Sequence, residues 1–131
     1  MKRLLVFGLM LTLLTACGSK KAAFSDNGNP GQIKAVVFYD DNRNGKMDSG
    51  EAGAPVEAGF SQEVSCPASS WDDVTLKQAD SNGIAIFDNL KPGKYCVGLK
   101  ENFSMTTKAT QEVYVSSDMV TTVMFGILKD Q

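Results

Sequence analysis

The sequence contains no histidine. That absence excludes a Ser-His-Asp triad, a Cys-His nucleophile pair and any histidine-based zinc or iron centre. It also removes the side chain that titrates near neutral pH. Cysteine is scarce, at three residues, and no two stand in a CxxC spacing, so nothing points to a dithiol redox enzyme. Long apolar runs are missing too. The longest, Leu4 to Ala16, is too short to span a bilayer comfortably. No segment carries a convincing helical periodicity. Basic charge is short: 13 Lys and Arg stand against 15 Asp and Glu, for a net charge of −2. An acidic chain argues against a nucleic-acid partner, which needs a basic face, and welcomes a hard cation.

What is present begins at the N-terminus. Met1-Lys2-Arg3 precedes the apolar run, as in a secretory signal peptide. The run closes on Leu14-Thr15-Ala16-Cys17-Gly18, which resembles the bacterial lipobox. That resemblance implies cleavage before Cys17 and attachment of a diacylglycerol to its sulfur. Residues 1–16 are then a lipoprotein signal peptide, and 115 of the 131 residues remain. Without Lys2 and Arg3 the net charge becomes −4, from 11 basic and 15 acidic residues. Each buried methylene adds about 0.8 kcal/mol, so two or three acyl chains make a stable membrane anchor. Gly18 follows Cys17, rather than the aspartate that retains many lipoproteins in the inner membrane. The expected location is the cell envelope, on the outer membrane if the cell has two.

Residues 17–31, the lipidated cysteine and a Gly/Asn/Ser-rich stretch, read as a flexible tether. Residues 32–128 read as one folded unit. Short apolar runs alternate there with Gly, Pro and Asn turns: Ile33–Tyr39, a weaker Val56–Val64 interrupted by Gly59, Val74–Gln78, Ile84–Phe87, Tyr95–Leu99, Gln111–Val115 and Val120–Leu128. This pattern predicts an all-β sandwich of about seven strands, prealbumin- or immunoglobulin-like. Alternation puts Val37 and Tyr39 on one face of the first strand, Val36 and Phe38 on the other. Ala85, Phe87, Leu90, Tyr95, Val97 and Leu99 complete the expected core.

The strongest motif is Asp40-Asp41-Asn42-Arg43-Asn44-Gly45-Lys46-Met47-Asp48-Ser49-Gly50-Glu51, which satisfies D-x-[DN]-x-[DN]-G-x5-E at every specified position. In a tight loop, alternate side chains converge, so Asp40, Asn42 and Asn44 present oxygens to one point. Gly45 permits the sharp turn. Lys46 offers its carbonyl oxygen, Asp48 a ligand through water, and Glu51 two oxygens that close the shell. Six or seven oxygen ligands suit Ca2+ better than Mg2+, which wants strict octahedral geometry. In an EF-hand, helices flank such a loop. Here a strand precedes it and Ala52-Gly53-Ala54-Pro55 follows, so the loop joins strands.

These residues resemble the SdrD B-like, Cna-type B, prealbumin-like modules of bacterial surface proteins. That family opens with a strand and D-x-N-x-N-G-x-x-D-x-x-E-x-G, matched from Asp40 to Gly53. It later carries a segment matched by Gly83, Ala85, Phe87, Asn89, Leu90, Pro92, Gly93 and Tyr95. The resemblance implies a β-sandwich stiffened by calcium. Two departures stand out: a longer polar loop within Val56–Thr75, and one module where adhesins string several. Some relatives crosslink a first-strand lysine to a last-strand Asn or Asp. Lys34 is present, but Met119–Leu128 contains neither acceptor, so no isopeptide bond is expected.

Setting Cys17 aside, Cys66 and Cys96 form an even pair in an exported chain and read as a disulfide, with two buried thiols as the alternative. Trp71, in the polar Cys66–Asp73 loop, either contacts a glycan or protein partner or folds back on the domain. The acids cluster in the calcium loop or scatter over turns, so no glycosidase-like pair emerges and no enzyme is expected. The functional expectation is a non-enzymatic envelope lipoprotein with a structural or adhesive role at the cell surface. A carbohydrate- or protein-binding module using the Cys66–Asp73 loop is the alternative.

Overall fold

The computed structural model describes residues 24–62, 65–67 and 73–129. The described residues form seven strands and no helix: β1 (Gly31–Tyr39), β2 (Glu57–Ser61), β3 (Thr75–Gln78), β4 (Ile84–Leu90), β5 (Gly93–Leu99), β6 (Thr110–Val115) and β7 (Val120–Ile127). They make two sheets, β4-β1-β7 and β3-β2-β5-β6. The first strand is the centre of the smaller sheet. It pairs antiparallel with β4 and parallel with β7, in register from Gln32↔Val120 to Tyr39↔Ile127. A parallel pair needs a crossover connection, and here the whole intervening chain supplies it.

The sheets face each other through the residues that alternation selects. Ile33, Ala35 and Val37 of β1 meet Ala85 and Phe87 of β4, Val123, Phe125 and Ile127 of β7, and Tyr95, Val97 and Leu99 of β5. The valine, leucine, isoleucine and phenylalanine side chains among them each contribute roughly 1.5–3 kcal/mol on burial. Phe60 stands edge-on to Phe87 and Tyr95, with ring centroids 5.0 and 5.4 Å away. The Tyr95 ring is buried, which raises its phenol pKa, and its hydroxyl donates to the Lys91 carbonyl at 2.8 Å. Phe38 is buried as well, although it lies on the opposite face of β1 from Val37.

Side chains close the seams between the sheets. Lys77 Nζ donates to the Ile86 carbonyl on β4, Gln111 Nε2 to the Met124 carbonyl on β7, and Thr121 Oγ1 to the Tyr114 carbonyl on β6. Capping these carbonyls blunts strand edges that otherwise invite pairing with another chain.

Element boundaries differ in detail from the sequence expectation. β1 starts two residues earlier, β4 continues to Leu90, and β5 starts at Gly93. Asn89, in the left-handed region at φ 53°, lets the chain remain paired until the turn. β2 stops at Ser61, and residues 63–64 lie outside the described set.

The tether reading needs a larger correction. Residues 24–30 are fastened to the turn between β6 and β7. Ser117 N donates to the Ser25 carbonyl at 2.9 Å, Asn27 N to Ser117 Oγ at 3.0 Å, and Asp118 N to the Pro30 carbonyl at 3.1 Å. Asn27 and Asn29 both donate through Nδ2 to Asp118 Oδ2. Those two bonds, opposed by burial, hold the Asp118 carboxyl below its ordinary range. A polar, Gly-rich composition therefore encodes a docked strap here, because side-chain partners satisfy its backbone.

The sandwich consequently has two ends. Gly31, the β6–β7 turn and the β4–β5 turn lie at one. The segment after Tyr39, the β5–β6 loop and the end of β7 lie at the other. At about 3.3 Å per residue, the nine residues of β1 separate the ends by about 30 Å.

Candidate metal centre

The loop from Asp40 to Glu51 leaves β1 and returns to it. Tyr39 N donates to the Ala52 carbonyl, Ala54 N donates to the Val37 carbonyl, and Phe38 bridges Gly53. Residues 52–54 thus run back along residues 37–39. This closure brings position 12 of the motif next to position 1.

Asp40 is 0% exposed. Its Oδ1 accepts from Asn44 N at 3.1 Å and its Oδ2 from Gly45 N at 2.8 Å. Asn42 Oδ1 accepts from Asn44 N at 3.0 Å, and Asn44 Oδ1 from Lys46 N at 2.8 Å. The two carboxamides turn their Nδ2 groups onto Asp48 Oδ2, at 2.7 Å from Asn42 and 2.5 Å from Asn44. Glu51 closes the ring: Oε1 accepts from Asp41 N at 3.0 Å and Oε2 from Asp48 N at 2.9 Å. Gly45 adopts φ 73°, a conformation that favours glycine, and Arg43 also sits in the left-handed region at φ 61°. The Asp41 carboxylate pairs instead with Lys129, whose Nζ lies 3.6 Å from its Oδ1 and 5.2 Å from the Tyr39 ring centroid.

Two of these carboxylates are biased toward charge. Burial works to raise the Asp40 pKa, yet the Thr106 hydroxyl and the amides of Gly45, Asn44 and Arg43 outweigh it and hold the carboxyl below its ordinary value. Asp48 is held low by Asn42 and Asn44, against burial and the Asp40 charge, with help from Lys46. Among the described residues no three His, Cys, Asp or Glu side chains form a metal-binding cluster. A cation in this loop therefore needs the Asn42 and Asn44 carboxamide oxygens and the Lys46 carbonyl, as well as Asp40, Asp48 and Glu51. All are hard oxygen donors, which fits a hard cation and not a soft one.

Sequence reasoning missed the second support of this loop. Residues 104–107, between β5 and β6, pair with the end of β7: Thr106 N donates to the Gly126 carbonyl, Leu128 N to the Ser104 carbonyl, and Gly126 N to Thr107 Oγ1. Thr106 Oγ1 is buried beside Asp40 and, among the described residues, has no hydrogen-bond partner of good geometry. It occupies a slot that exists because residue 126 is glycine. A Cβ there stands 2.2 Å from Thr106 Oγ1 and 3.3 Å from Asp40 Cβ. Nothing local in the sequence signals this contact, since Thr106 lies far along the chain from Asp40.

The remaining expected site residues fall as follows. Cys66 and Cys96 are bonded, with sulfurs 2.03 Å apart, fastening the segment after β2 to β5. Cys17 and Trp71 lie outside the described residues. Lys34 sits between Ile86 and Thr122 in the cross-strand register, while its neighbours Ile33 and Ala35 face the core. No carboxamide or carboxylate is paired with it there.

The chain is similar to known proteins in both sequence and fold. It is 34% identical over 67 residues to Colossin-A of Dictyostelium discoideum, a match covering 51% of this chain and 1% of that protein. Its fold is similar to the TIE protein of Bacillus anthracis, with a TM-score of 0.50 at 13% identity, over 76% of this chain and 17% of that one. A minor pilin of Streptococcus agalactiae aligns with a TM-score of 0.47 at 14% identity, over 79% of this chain and 47% of the pilin. The chain thus spans less than half the length of each of these proteins. The SdrD B-like domain model matches residues 31–126, nearly the whole sandwich, and the chain belongs to that family.

Proposed function

We propose that this protein is a calcium-stiffened surface module, tied to the cell envelope by a lipid on Cys17 and serving a structural or adhesive role. Membership of the SdrD B-like family supports the surface role and a non-enzymatic one. The observation that carries the calcium reading is the closed twelve-residue loop at the end of β1, with Asp40 and Asp48 both biased toward charge. Asn42 and Asn44 now turn their amide nitrogens onto an anionic oxygen. A cation there requires each carboxamide to turn its oxygen inward, which gives up the bonds those oxygens accept from Asn44 N and Lys46 N, so the cation must offset that loss. A bound Ca2+ supplies charge that unites the loop, and the chain's own groups hold the loop's return strand to β1.

The test is thermal melting in excess calcium and in chelator. A ligand at 100 times its dissociation constant stabilises by about 2.7 kcal/mol. In a domain of this size that raises Tm by roughly 10–20 °C. Glu51→Gln is expected to remove most of the shift. Identical melting of the wild type in both buffers overturns the calcium reading.

A further inference from the structure

The docked strap bears on how the module meets its membrane. Ser25, Asn27, Asn29 and Pro30 are hydrogen-bonded to Ser116, Ser117 and Asp118, and Phe24 precedes the first of them. Only Gly18 to Ala23 separate Cys17 from this strap. Seven peptide steps reach at most about 25 Å. A lipid on Cys17 therefore keeps the strap end of the sandwich within that distance of the bilayer.

That end exposes large apolar side chains among polar ones, the latter including Asp26, Asn27, Asn29 and Asp118. Of the seven exposed large apolar side chains among the described residues, four belong to it: Phe24 at 51%, Tyr114 at 59%, Met119 at 52% and Val120 at 53%. Phe24 begins the strap, Met119 lies in the turn that holds it, and Tyr114 and Val120 stand on the strands either side of that turn. The opposite end carries Asp41, Arg43, Lys46, Asp48 and Glu51, and among the described residues its single exposed large apolar side chain is Met47, at 38%. Desolvating charge is costly at either end, so Asp26 and Asp118 stay in the hydrated headgroup layer, while the aromatic and aliphatic side chains beside them gain free energy at a lipid interface.

We propose that the strap end is a membrane-apposed surface, with Phe24, Met119 and Val120 entering the lipid interface and the Asp40–Glu51 loop held about 30 Å further out. This rests on the reading of Cys17 as lipidated. The occupant is a lipid bilayer, because the anchor delivers that end of the domain, and not the other, to the bilayer surface.

Native methionines provide the test. Full-length protein is placed in phosphatidylcholine vesicles and footprinted with hydroxyl radicals, with a Cys17→Ala variant in buffer as the reference. Met119 is expected to lose about fivefold or more of its oxidation rate on vesicles, while Met47 keeps its rate. Phe24→Ser with Val120→Ser is expected to restore most of the Met119 rate. Equal Met119 rates with and without vesicles, or protection of Met47 instead, overturn the proposal. Met119 protection that grows with protein concentration in vesicle-free buffer assigns the patch to a second copy and also overturns it. The mass of the N-terminal peptide reports lipidation separately. An unmodified Cys17 removes the anchor reading and the proposal together, whereas a lipidated Cys17 with an unprotected Met119 removes only the proposal.

Discussion

Replacing both Cys66 and Cys96 by alanine removes a crosslink that closes a loop of 30 residues in sequence. In the chain-entropy view, such a loop restricts the unfolded state by about 12 cal/mol/K, which is about 3.6 kcal/mol at 25 °C. Cys96 is buried on β5 opposite Ser61, so its replacement also forfeits some packing, and the full cost should slightly exceed the entropic figure. A domain of this size has only about 5–15 kcal/mol of stability in total. The assay is urea unfolding of wild type and double variant, both in calcium, followed by circular dichroism. The expected result is a loss of about 3–5 kcal/mol, with a larger m-value because the uncrosslinked chain exposes more surface. Reducing the wild type under the same conditions should reproduce the loss. A loss below about 1 kcal/mol with an unchanged m-value refutes the reasoning, since the crosslink would then not restrict the unfolded chain.

Further expectations follow from the loop and its supports. Thr106→Val should weaken calcium binding by about 10–100-fold while leaving the melting temperature in chelator nearly unchanged, and Thr106→Ser should restore affinity in a calorimetric titration. Gly126→Ala should destabilise by about 1–3 kcal/mol in chemical denaturation. Combining it with Thr106→Ala should cost less than the sum of the two, because the obstructing hydroxyl is gone. In chelator, stability should fall with acid: Asp40, Asp48 and Asp118 have lowered folded pKa values, so their contribution is complete above the unfolded aspartate value of about 3.9 and is lost as pH drops through the lower folded values. Melting curves between pH 6 and pH 2 measure this, and Asp48→Asn should flatten the profile. Asp118→Ala should free the strap, read as faster proteolysis or hydrogen exchange across residues 25–30 with little change in core melting.

The sequence and structure agree where the signal is local. A period of two picks out Tyr95, Val97 and Leu99 because both faces of β5 have fixed directions. A twelve-residue loop can be read residue by residue because its return is set by its own length. What escaped the sequence is non-local. Thr106 reaches Asp40 only because β7 presents a glycine between them. The strap has no periodicity, so its composition reads as a free linker until the partners Ser117 and Asp118 are visible. The parallel pairing of the first and last strands is a property of the closed sandwich. Neither strand's own residues announce it.

Calorimetric titration of Ca2+ into chelator-stripped protein at pH 7, with Glu51→Gln in parallel, tests the central claim most directly. One bound calcium per chain in the wild type, with affinity largely lost in the variant, is the predicted result. No saturable heat up to millimolar calcium, or binding that Glu51→Gln leaves untouched, contradicts it.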